Sequence, residues 1–427
     1  MLPSYGHGRA RHGLACAREN RKVRLKHVCF FNRSYWPDLA ATGQLLTELA
    51  EDLVRVHGWD VTVVCGYPLR SDAELPACEW RNGVHIVRAA GSTFEPKQFV
   101  GRAANYVTYF TSAALKGLRM RKPDVIVALT DPPIIGLAAL AAARRARAPF
   151  VFLCEDIFPE VATLLEDFHS TAVNDALTKV NRFLVRKATR IVALGETMRR
   201  RLVEGKGAEP SKVAVIHNWA DCSAVAPGPR DNPFARRHGL VEKFVVLHAG
   251  NIGLSQDLEI VLHAADPLRD RTDIAFVFVG EGAKKKDLQE LAHRRDLRNV
   301  TFLPFQPREA MDQSYATADV ALISLKRGLA GVIVPSKVYN VLASGRPCIA
   351  AVEDDCEVAD IIRTRGCGYV VAPGDAAALA ARVLDLAKDR GKAADFGTRA
   401  RQAALEFDRP RQVAAYDALL REITTGC

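Results

Sequence analysis

The stretch Gly328-Leu-Ala-Gly-Val-Ile-Val-Pro-Ser-Lys-Val-Tyr-Asn-Val-Leu-Ala-Ser-Gly-Arg-Pro347 is a glycine-punctuated loop that leads into a short predicted helix. Pro335 stiffens the chain before the helix, and Ser336 is a residue type that can cap it. Backbone N–H groups at a helix start, with the Lys337 ammonium beside them, form an electropositive end that suits an anion. The stretch therefore predicts a phosphate-binding cradle.

The remainder of the same stretch defines the helix itself. Asn340 lies one turn after Ser336 and on the same face, so it can contact whatever the cradle binds. Gly345 is expected to end the helix as a left-handed cap, and Pro347 prevents its continuation. The alternative interpretation is an ordinary capped surface helix of an α/β domain that binds no ligand.

The composition is that of an ordinary globular protein, with 48% hydrophobic and 25% charged residues. Its 427 residues exceed what one hydrophobic core usually serves, so we expect two or three domains. The net charge of +10 indicates a polyanionic partner, which could be nucleic acid, an anionic membrane face or a phosphorylated substrate. Charge alone does not choose among the three.

The ten cysteines are scattered, without a Cys-x-x-Cys pair or a Cys/His spacing typical of zinc sites. We therefore expect no metal site, and a reducing, cytoplasmic location. The basic amino terminus lacks the apolar core of a secretory signal, and no run approaches the ~20 apolar residues of a membrane span. Contact with a membrane, such as the inner face of the plasma membrane, would be peripheral.

Short apolar runs alternate with helix-length segments along most of the chain, and a proline-rich connector follows His217. This alternation predicts an α/β fold of two Rossmann-like halves, each with a doubly wound parallel sheet, facing a cleft. The predicted parts are a disordered basic segment at 1–25, a first half at 26–218, a linker at 219–240, a second half at 241–395, and helices at 396–427 that can pack back on the first half.

The first half opens with a strand at His27–Phe31, a helix that starts near Gly43, and a second strand at Val61–Cys65. A glycine at the helix start would let a diphosphate approach the backbone. The full dinucleotide fingerprint is absent, which disfavours a nicotinamide cofactor.

Asp156 directly follows the apolar strand Phe150–Cys154. Open α/β sheets keep functional groups just past the carboxyl ends of their strands, so Asp156 is a catalytic candidate. The alternative is a carboxylate that caps the helix starting near Pro159.

A predicted helix over about residues 98–121 mixes aromatic and basic side chains. This pattern fits contact with a membrane surface. The alternative is a helix whose apolar stripe faces the core while its basic residues are solvated.

Seven motifs together resemble one known family. They are Tyr35-Trp-Pro-Asp-Leu-Ala-Ala-Thr-Gly43, Asp156-Ile-Phe-Pro-Glu160, Ala249-Gly-Asn-Ile-Gly253 with Ser255-Gln256, Val279-Gly-Glu-Gly282, Phe302-Leu-Pro-Phe305, Ala318-Asp-Val320, and Pro335-Ser-Lys337 through Gly345-Arg-Pro347. They resemble glycosyltransferase family 4, retaining enzymes of GT-B fold, over about residues 26–423. In detail they are similar to the branch that transfers N-acetylated aminosugars onto lipid-linked intermediates of bacterial surface polysaccharides.

The resemblance implies sugar transfer from a nucleotide-diphosphate donor, expected to be UDP-linked, to a lipid-linked or polysaccharide-precursor acceptor. The first half would bind the acceptor and the second half the donor. Because the chain has no Asp-x-Asp motif, cations and helix N-termini would replace a metal cofactor.

By the same resemblance, Gly43 would contact the donor diphosphate, and Pro304 and Phe305 would flank the base. The loop at Gly328–Val332 would hold sugar hydroxyls through backbone amides. The other donor-side residues that the motifs imply are Asn251, Gly253, Gln256, Glu281, Gly282, Ala330, Gly331, Val332 and Ser336.

The chain departs from the family at charged positions. The Arg and Lys of the family's glycine-Arg…Lys-glycine stretch correspond to Asn251 and Gln256, which leaves Lys337 as the main phosphate cation. The family's paired glutamates, eight apart, fall near Val332 and Asn340, so a catalytic glutamate is excluded at 340. The acceptor-side histidine is not evident, and Asp156 is the residue expected in its place.

We therefore expect a front-face, retaining transfer. Lys337 would stabilise the diphosphate, Asn340 would hydrogen-bond a ribose or phosphate oxygen, and Asp156 would orient or deprotonate the acceptor hydroxyl. A nucleotide-sugar epimerase or hydrolase of the same architecture stays open as an alternative. A basic nucleic-acid-binding protein is a further alternative, although no helix-turn-helix, RRM or zinc signature supports it.

Overall fold

The computed structural model describes residues 25–38, 40–68, 74–92, 94, 99–165, 170–307 and 310–425. The predicted disordered segment at 1–25 lies outside this part of the chain except for its last residue. In the described part, the helices are each too short or too polar to cross a bilayer.

The first sheet has eight strands in the order β3-β4-β2-β1-β5-β6-β7-β8. Neighbouring strands are parallel except for the antiparallel pair β3 and β4. The strands are β1 (His27–Phe31), β2 (Asp60–Cys65), β3 (Cys78–Arg81), β4 (Val84–Arg88), β5 (Val125–Ala128), β6 (Phe150–Cys154), β7 (Arg190–Ala193) and β8 (Val213–Val215).

The second sheet has six strands in the order β11-β10-β9-β12-β13-β14, and its neighbouring strands are all parallel. Its strands are β9 (Phe244–Ala249), β10 (Ile274–Val279), β11 (Val300–Leu303), β12 (Val320–Ser324), β13 (Cys348–Ala351) and β14 (Gly368–Val371).

Helices connect the strands, as parallel pairing requires. They are α1 (Ala41–Arg55), α2 (Phe99–Arg119), α3 (Ile135–Ala146), α4 (Glu160–Leu164), α5 (Thr171–Lys187), α6 (Glu196–Lys206), α7 (Pro233–Arg237), α8 (Glu259–Ala265), α9 (Lys285–Arg294), α10 (Met311–Thr317), α11 (Lys337–Ala343), α12 (Glu357–Arg365), α13 (Ala376–Lys388), α14 (Arg390–Ala404) and α15 (Arg409–Thr425).

Alternate residues of the second sheet face two different packed layers. In β9, Val245 and Leu247 join the larger core, whereas Phe244 and Val246 join a separate core. Successive side chains of a strand point to opposite faces, so both faces of this sheet are covered. The predicted doubly wound α/β architecture is confirmed.

One edge strand escaped the sequence prediction. β3 pairs antiparallel with β4 at the edge of the first sheet. Its four residues alternate between exposed and half-buried, and Trp80 is among the exposed ones. A strand of this kind has no apolar run, because it buries little, and its pattern is therefore hard to recognise.

The last helix returns to the first half. The Arg409 guanidinium, at the start of α15, donates from Nε to Asp52 Oδ2 of α1 at 2.7 Å. Further along α15, Asp417 Oδ1 accepts a hydrogen bond from the Trp59 indole at 2.6 Å. In the segment predicted as a linker, Trp219 Nε1 donates to Glu48 of α1 at 2.8 Å, so the start of this segment is packed on the first half. Its later part contacts the second half, where Arg230 pairs with Asp319 at 3.0 Å.

Candidate active site

The loop that follows β12 connects the carboxyl ends of the two sheets. Asp156, just after β6, forms an isolated antiparallel bridge with Ile333. Next to it, the Ile157 N–H donates to the Val332 carbonyl at 2.9 Å. The stretch singled out from the sequence therefore contacts the catalytic candidate of the opposite half directly.

Asp156 is half-buried, and its backbone N–H donates to Thr130 Oγ1 at 3.3 Å. Burial, together with the negative charge of Asp131, raises the pKa of its carboxyl to about 7. A carboxylate with such a pKa can accept and release a proton near neutral pH, as a general base must.

Asp131 is itself held by two side chains of the loop after β1. Arg33 Nη2 lies 3.1 Å from Asp131 Oδ2, and the Ser34 hydroxyl donates to the same oxygen at 2.9 Å. Sequence reasoning did not select this trio, although Asp131, like Asp156, follows a strand end. Its position just past a strand end could have identified Asp131 as a candidate.

Glu155 is a second carboxyl that the sequence prediction missed. It is buried, and Asn218 Nδ2 approaches its Oε2 at 3.4 Å. Burial, and then the charge of Asp156, raise the pKa of Glu155 to about 7. The negative charge of Asp156 therefore favours the protonated form of Glu155.

Lys337 begins α11, and its ammonium is half-buried beside the end of β9. Its Nζ lies 3.3 Å from His248 Nε2, and no carboxylate of the described residues lies within ion-pairing distance of it. Burial lowers the pKa of Lys337 to about 7. A buried ammonium without a counterion is costly, and an anionic ligand would relieve that cost.

His248, which the sequence prediction did not select, is almost fully buried at 1% exposure. Burial, and then the charge of Lys337, hold its pKa well below the ordinary value, so the ring is neutral at physiological pH. Its Nε2 also lies 3.5 Å from the Asn251 carbonyl. The ring is therefore next to the glycine turn that follows β9.

Two glycine turns contact each other backbone to backbone. A Cβ at Gly280 would lie 1.9 Å from the Gly250 carbonyl oxygen, and one at Gly282 would lie 2.2 Å from the Ile252 oxygen. Each of the three glycines has a positive φ, so glycine is favoured at all three by conformation, and at Gly280 and Gly282 it is also required for space. The contact aligns the predicted donor-side residues Asn251, Gly253, Glu281 and Gly282 along one edge.

The donor-side candidates differ in their exposure and in the partners that their side chains already have. Asn251 is exposed, whereas Glu281 pairs with Lys285 at 2.6 Å. Gln256 is buried, its carbonyl accepts a hydrogen bond from the Ser324 hydroxyl, and its side-chain Oε1 has no partner among the described residues. Pro304 and Phe305 are both exposed just after β11.

In the loop Gly328–Val332, two backbone amides already have a carboxylate partner. Glu353 Oε2 accepts hydrogen bonds from the Gly328 N–H at 2.8 Å and from the Ala330 N–H at 3.4 Å. Ala330 and Val332 are fully buried. Two of the amides expected to hold sugar hydroxyls are therefore already bound to a carboxylate that the local sequence did not reveal.

The other predicted residues are placed as follows. The Ser336 side chain does not cap α11, since its backbone is already helical. Gly345 has the expected left-handed conformation, with φ of +64°. Asn340 is half-buried beside the Tyr315 hydroxyl.

Gly43 lies in the first turn of α1, which begins at Ala41, two residues before the predicted start. A Cβ at Gly43 would approach Ser34 and Tyr35 to 3.3 Å. The glycine therefore lets α1 pack closely on the loop that carries Arg33. Within the described ranges, no group of three His, Cys, Asp or Glu side chains could hold a metal ion.

Comparisons with known proteins show the family to which the chain belongs. Residues 40–219 match the family described as glycosyl transferase 4-like domain, and residues 232–403 match glycosyl transferases group 1. WcaI of Escherichia coli (strain K12), named as a colanic acid biosynthesis glycosyl transferase, is 31% identical over 379 residues, which cover 83% of this chain and 91% of WcaI. WbjE of Pseudomonas aeruginosa, named as a glycosyltransferase, is 30% identical over 62% of this chain and 66% of WbjE.

Among solved structures, Anabaena HepE in complex with UDP superposes with a TM-score of 0.71 at 17% identity, covering 93% of this chain and all of HepE. The predicted GT-B fold is confirmed. The chain belongs to the glycosyltransferases of GT-B fold whose amino-terminal half is of the glycosyl transferase 4-like type. It is an enzyme, as predicted.

Proposed function

We propose that this enzyme is a retaining, metal-independent glycosyltransferase that moves an N-acetylated aminosugar from a UDP-linked donor to a lipid-linked precursor of a surface polysaccharide. The name of WcaI refers to colanic acid biosynthesis, and HepE was solved with UDP. The name of WcaI supports the acceptor class, and the HepE complex supports the donor nucleotide. The aminosugar rests on the sequence motifs.

One observation carries the proposal. Ile333 contacts Asp156, and Lys337, four residues later, reaches the turn at Gly250, where its Nζ would be 3.8 Å from an added Cβ. The candidate base and the candidate phosphate cation are therefore fixed by one short segment. A donor whose diphosphate neutralises Lys337 would have its sugar close to the acceptor side of the cleft.

In the proposed reaction, the bond between the anomeric carbon and the diphosphate breaks while the acceptor oxygen bonds to the same face of that carbon. Asp156 takes the proton of the acceptor hydroxyl, and the Lys337 ammonium stabilises the charge on the departing diphosphate. Burial of both groups strengthens these interactions, because the effective dielectric constant is lower than in water.

The donor-side residues keep their proposed roles with one change. We assign Asn251, Gly253, Gln256, Glu281 and Gly282 to the donor's phosphates and ribose, and Pro304 and Phe305 to its base. Asn340 would hydrogen-bond a ribose or phosphate oxygen, and Gly43 would allow a close approach of the diphosphate. In the loop 328–332, where Glu353 binds two amides, we retain Gly331 and its neighbours as a wall of the sugar site.

The donor assignment is tested by thermal unfolding of the purified protein with a panel of nucleotide sugars, since a ligand of the native state raises the melting temperature. We expect UDP-N-acetylglucosamine or UDP-N-acetylgalactosamine to give a larger shift than UDP-glucose or GDP-mannose. A larger shift with UDP-glucose would refute the aminosugar, and a preference for GDP-mannose would refute the UDP donor.

A donor-only assay separates the proposal from an epimerase or a hydrolase. A transferase should release nucleotide at an appreciable rate only when a membrane extract containing lipid-linked acceptors is added. Nucleotide release or sugar interconversion at the same rate without acceptor would support the alternative. NMR of the product's anomeric configuration then tests retention.

For the acceptor side, we propose peripheral contact with an anionic membrane through α2. Val107, Leu115 and Leu118 are exposed on this helix, and Arg119 and Lys122 are exposed at its carboxyl end. Exposed apolar residues next to cations are typical of helices that lie at a membrane surface. The aromatic residues of this helix contribute less to that surface, because Tyr109 is buried and Phe110 packs against the core.

Vesicle flotation tests this contact. The protein should float with phosphatidylglycerol-containing vesicles and not with pure phosphatidylcholine, and the double variant L115S/L118S should float less. The matched control is V56S. Val56 is another exposed apolar residue, in the connection between α1 and β2, and its exchange should leave flotation unchanged. Equal flotation of the wild type and the α2 variant would contradict the assignment of this surface.

A further inference from the structure

The Lys337 ammonium has one hydrogen-bonding side chain of the described residues within reach, and that side chain is His248. The two residues are 89 positions apart in the sequence, and Nζ lies 3.3 Å from Nε2. A lysine normally pairs with a carboxylate when it is buried. Here the partner is a ring that carries no charge, so the pairing leaves the positive charge of Lys337 uncompensated.

The ring itself is held firmly. His248 is the penultimate residue of β9, just before the turn at Gly250. It is 1% exposed, and its ring centroid is 5.8 Å from that of Phe278. Phe278 in turn stacks on Phe302 at 4.7 Å. A buried ring fixed by neighbouring aromatics holds its Nε2 atom in one direction, and in the tautomer that carries the proton on Nδ1 this atom can accept a hydrogen bond from Lys337.

We propose that His248 is a positioning residue, whose neutral imidazole accepts a hydrogen bond from Lys337 and holds the ammonium beside the Gly250–Gly253 turn for the donor diphosphate. A carboxylate at this position would orient the ammonium equally well, but it would cancel the charge that the diphosphate needs. A neutral acceptor orients the lysine and preserves its charge. This inference rests on the proposed function, since it takes the ligand of Lys337 to be the donor's diphosphate.

The same geometry distinguishes positioning from packing. If His248 only filled space, an apolar ring of similar size would serve as well. If it positions Lys337, a variant that retains an acceptor atom at this place should retain function, whereas an isosteric ring without one should not.

The experiment uses the full chain and three variants: H248F, which keeps an aromatic ring but removes the acceptor; H248Q, which keeps an acceptor; and F302L, a packing control one ring further away. Calorimetric titration gives dissociation constants for UDP and for uridine. We expect H248F to bind UDP on the order of tenfold more weakly, the loss typical of one hydrogen bond to a charged group, with uridine affinity unchanged.

H248Q should restore most of the UDP affinity, and F302L should lower the melting temperature without changing the ratio of UDP to uridine affinity. In turnover assays, H248F should raise the donor KM more than it lowers kcat. Unchanged UDP affinity in H248F, or equal losses in H248F and H248Q, would overturn the positioning role.

Failure of the proposed function gives a different result. If the wild-type protein binds UDP no more tightly than uridine, and no other nucleoside diphosphate more tightly than its nucleoside, the diphosphate is not the ligand of Lys337. Both the donor assignment and the role of His248 are then refuted. If wild-type UDP binding depends on the diphosphate and H248F is unaffected, only the role of His248 falls.

Discussion

The carboxylate of Glu357 accepts hydrogen bonds from the backbone N–H groups of Thr197, at 2.5 Å, and Met198, at 3.3 Å. Glu357 begins α12 beside the second sheet, whereas Thr197 lies in the first turn of α6 beside the first sheet. A carboxylate at this place satisfies otherwise unpaired N–H groups and interacts favourably with the helix dipole. One side chain therefore caps a helix of the opposite half.

Removing that cap should cost stability. In E357A, two buried N–H groups lose their partner, so we expect a loss of about 1–3 kcal/mol in the free energy of unfolding, measured by urea denaturation. E357Q keeps an acceptor oxygen and should lose less. The matched control is D375A, which removes an exposed cap of α13 and should cost about 1 kcal/mol. A smaller loss in E357A than in D375A would contradict the cross-half role.

Lys337 should stabilise donor binding at the expense of folding. The pKa of Lys337 is depressed in the folded protein to about 7, so from about pH 7 to pH 10 the unfolded chain binds more protons at this site. The contribution of Lys337 to the free energy of unfolding therefore rises with pH across that window. We expect K337M to abolish transfer and, at pH 7, to raise the melting temperature.

A buried lysine with a full set of partners gives the matched control for K337M. Lys206 pairs with Glu160 at 2.7 Å and donates to the Phe158 carbonyl at 2.9 Å. K206M leaves both groups unpaired and should therefore lower the melting temperature. Retained transfer in K337M, or a lower melting temperature than in K206M, would be incompatible with an unpaired phosphate cation.

The pH dependence of turnover should report the pKa of Asp156. Because that pKa is raised to about 7 and the base must be ionised, kcat/KM should fall as pH decreases below about 7. Burial is the larger cause of this raised pKa and the Asp131 charge is the second, so D131N, in which the Arg33 cation stays, should move the acidic limb part of the way to lower pH. D156N should show no turnover at any pH. Turnover retained in D156N, or an acidic limb that moves to higher pH in D131N, would exclude Asp156 as the base.

The glycine at position 331 should be required for the contact between the halves. Gly331 has φ of +67°, and an added Cβ would lie 2.8 Å from Thr197 Cγ2 and 2.9 Å from its backbone. Gly374 has φ of +83° with open space around it. Both alanine variants carry a backbone strain of about 1 kcal/mol, but only G331A also displaces the loop that contacts Asp156.

We therefore expect G331A to be less stable than G374A and to lose kcat, while G374A keeps normal turnover. Thermal unfolding and steady-state kinetics on the two purified variants measure both effects. Equal stability and equal kcat in the two variants would show that the loop tolerates displacement from Thr197.

Much of the fold could be predicted because parallel strands with both faces covered are continuous apolar runs. Phe244–Ala249 and Ile274–Val279 are such runs, and the structure buries all their residues. Glycine positions were equally informative, since Gly250, Gly280, Gly282 and Gly345 all adopt positive φ. β3 was missed because an exposed edge strand lacks the apolar pattern.

The site could be predicted only in part. That Asp156 follows a strand and that Lys337 begins a helix could be predicted from the sequence, because local periodicity and turn chemistry fix such positions. Three contacts could be seen only in the folded chain: Ile333 meets Asp156, Glu353 accepts hydrogen bonds from the loop amides, and His248 is the partner of Lys337. These pairs come from distant strands and loops that the two sheets bring together, and local patterns carry no information on which side chains then face each other.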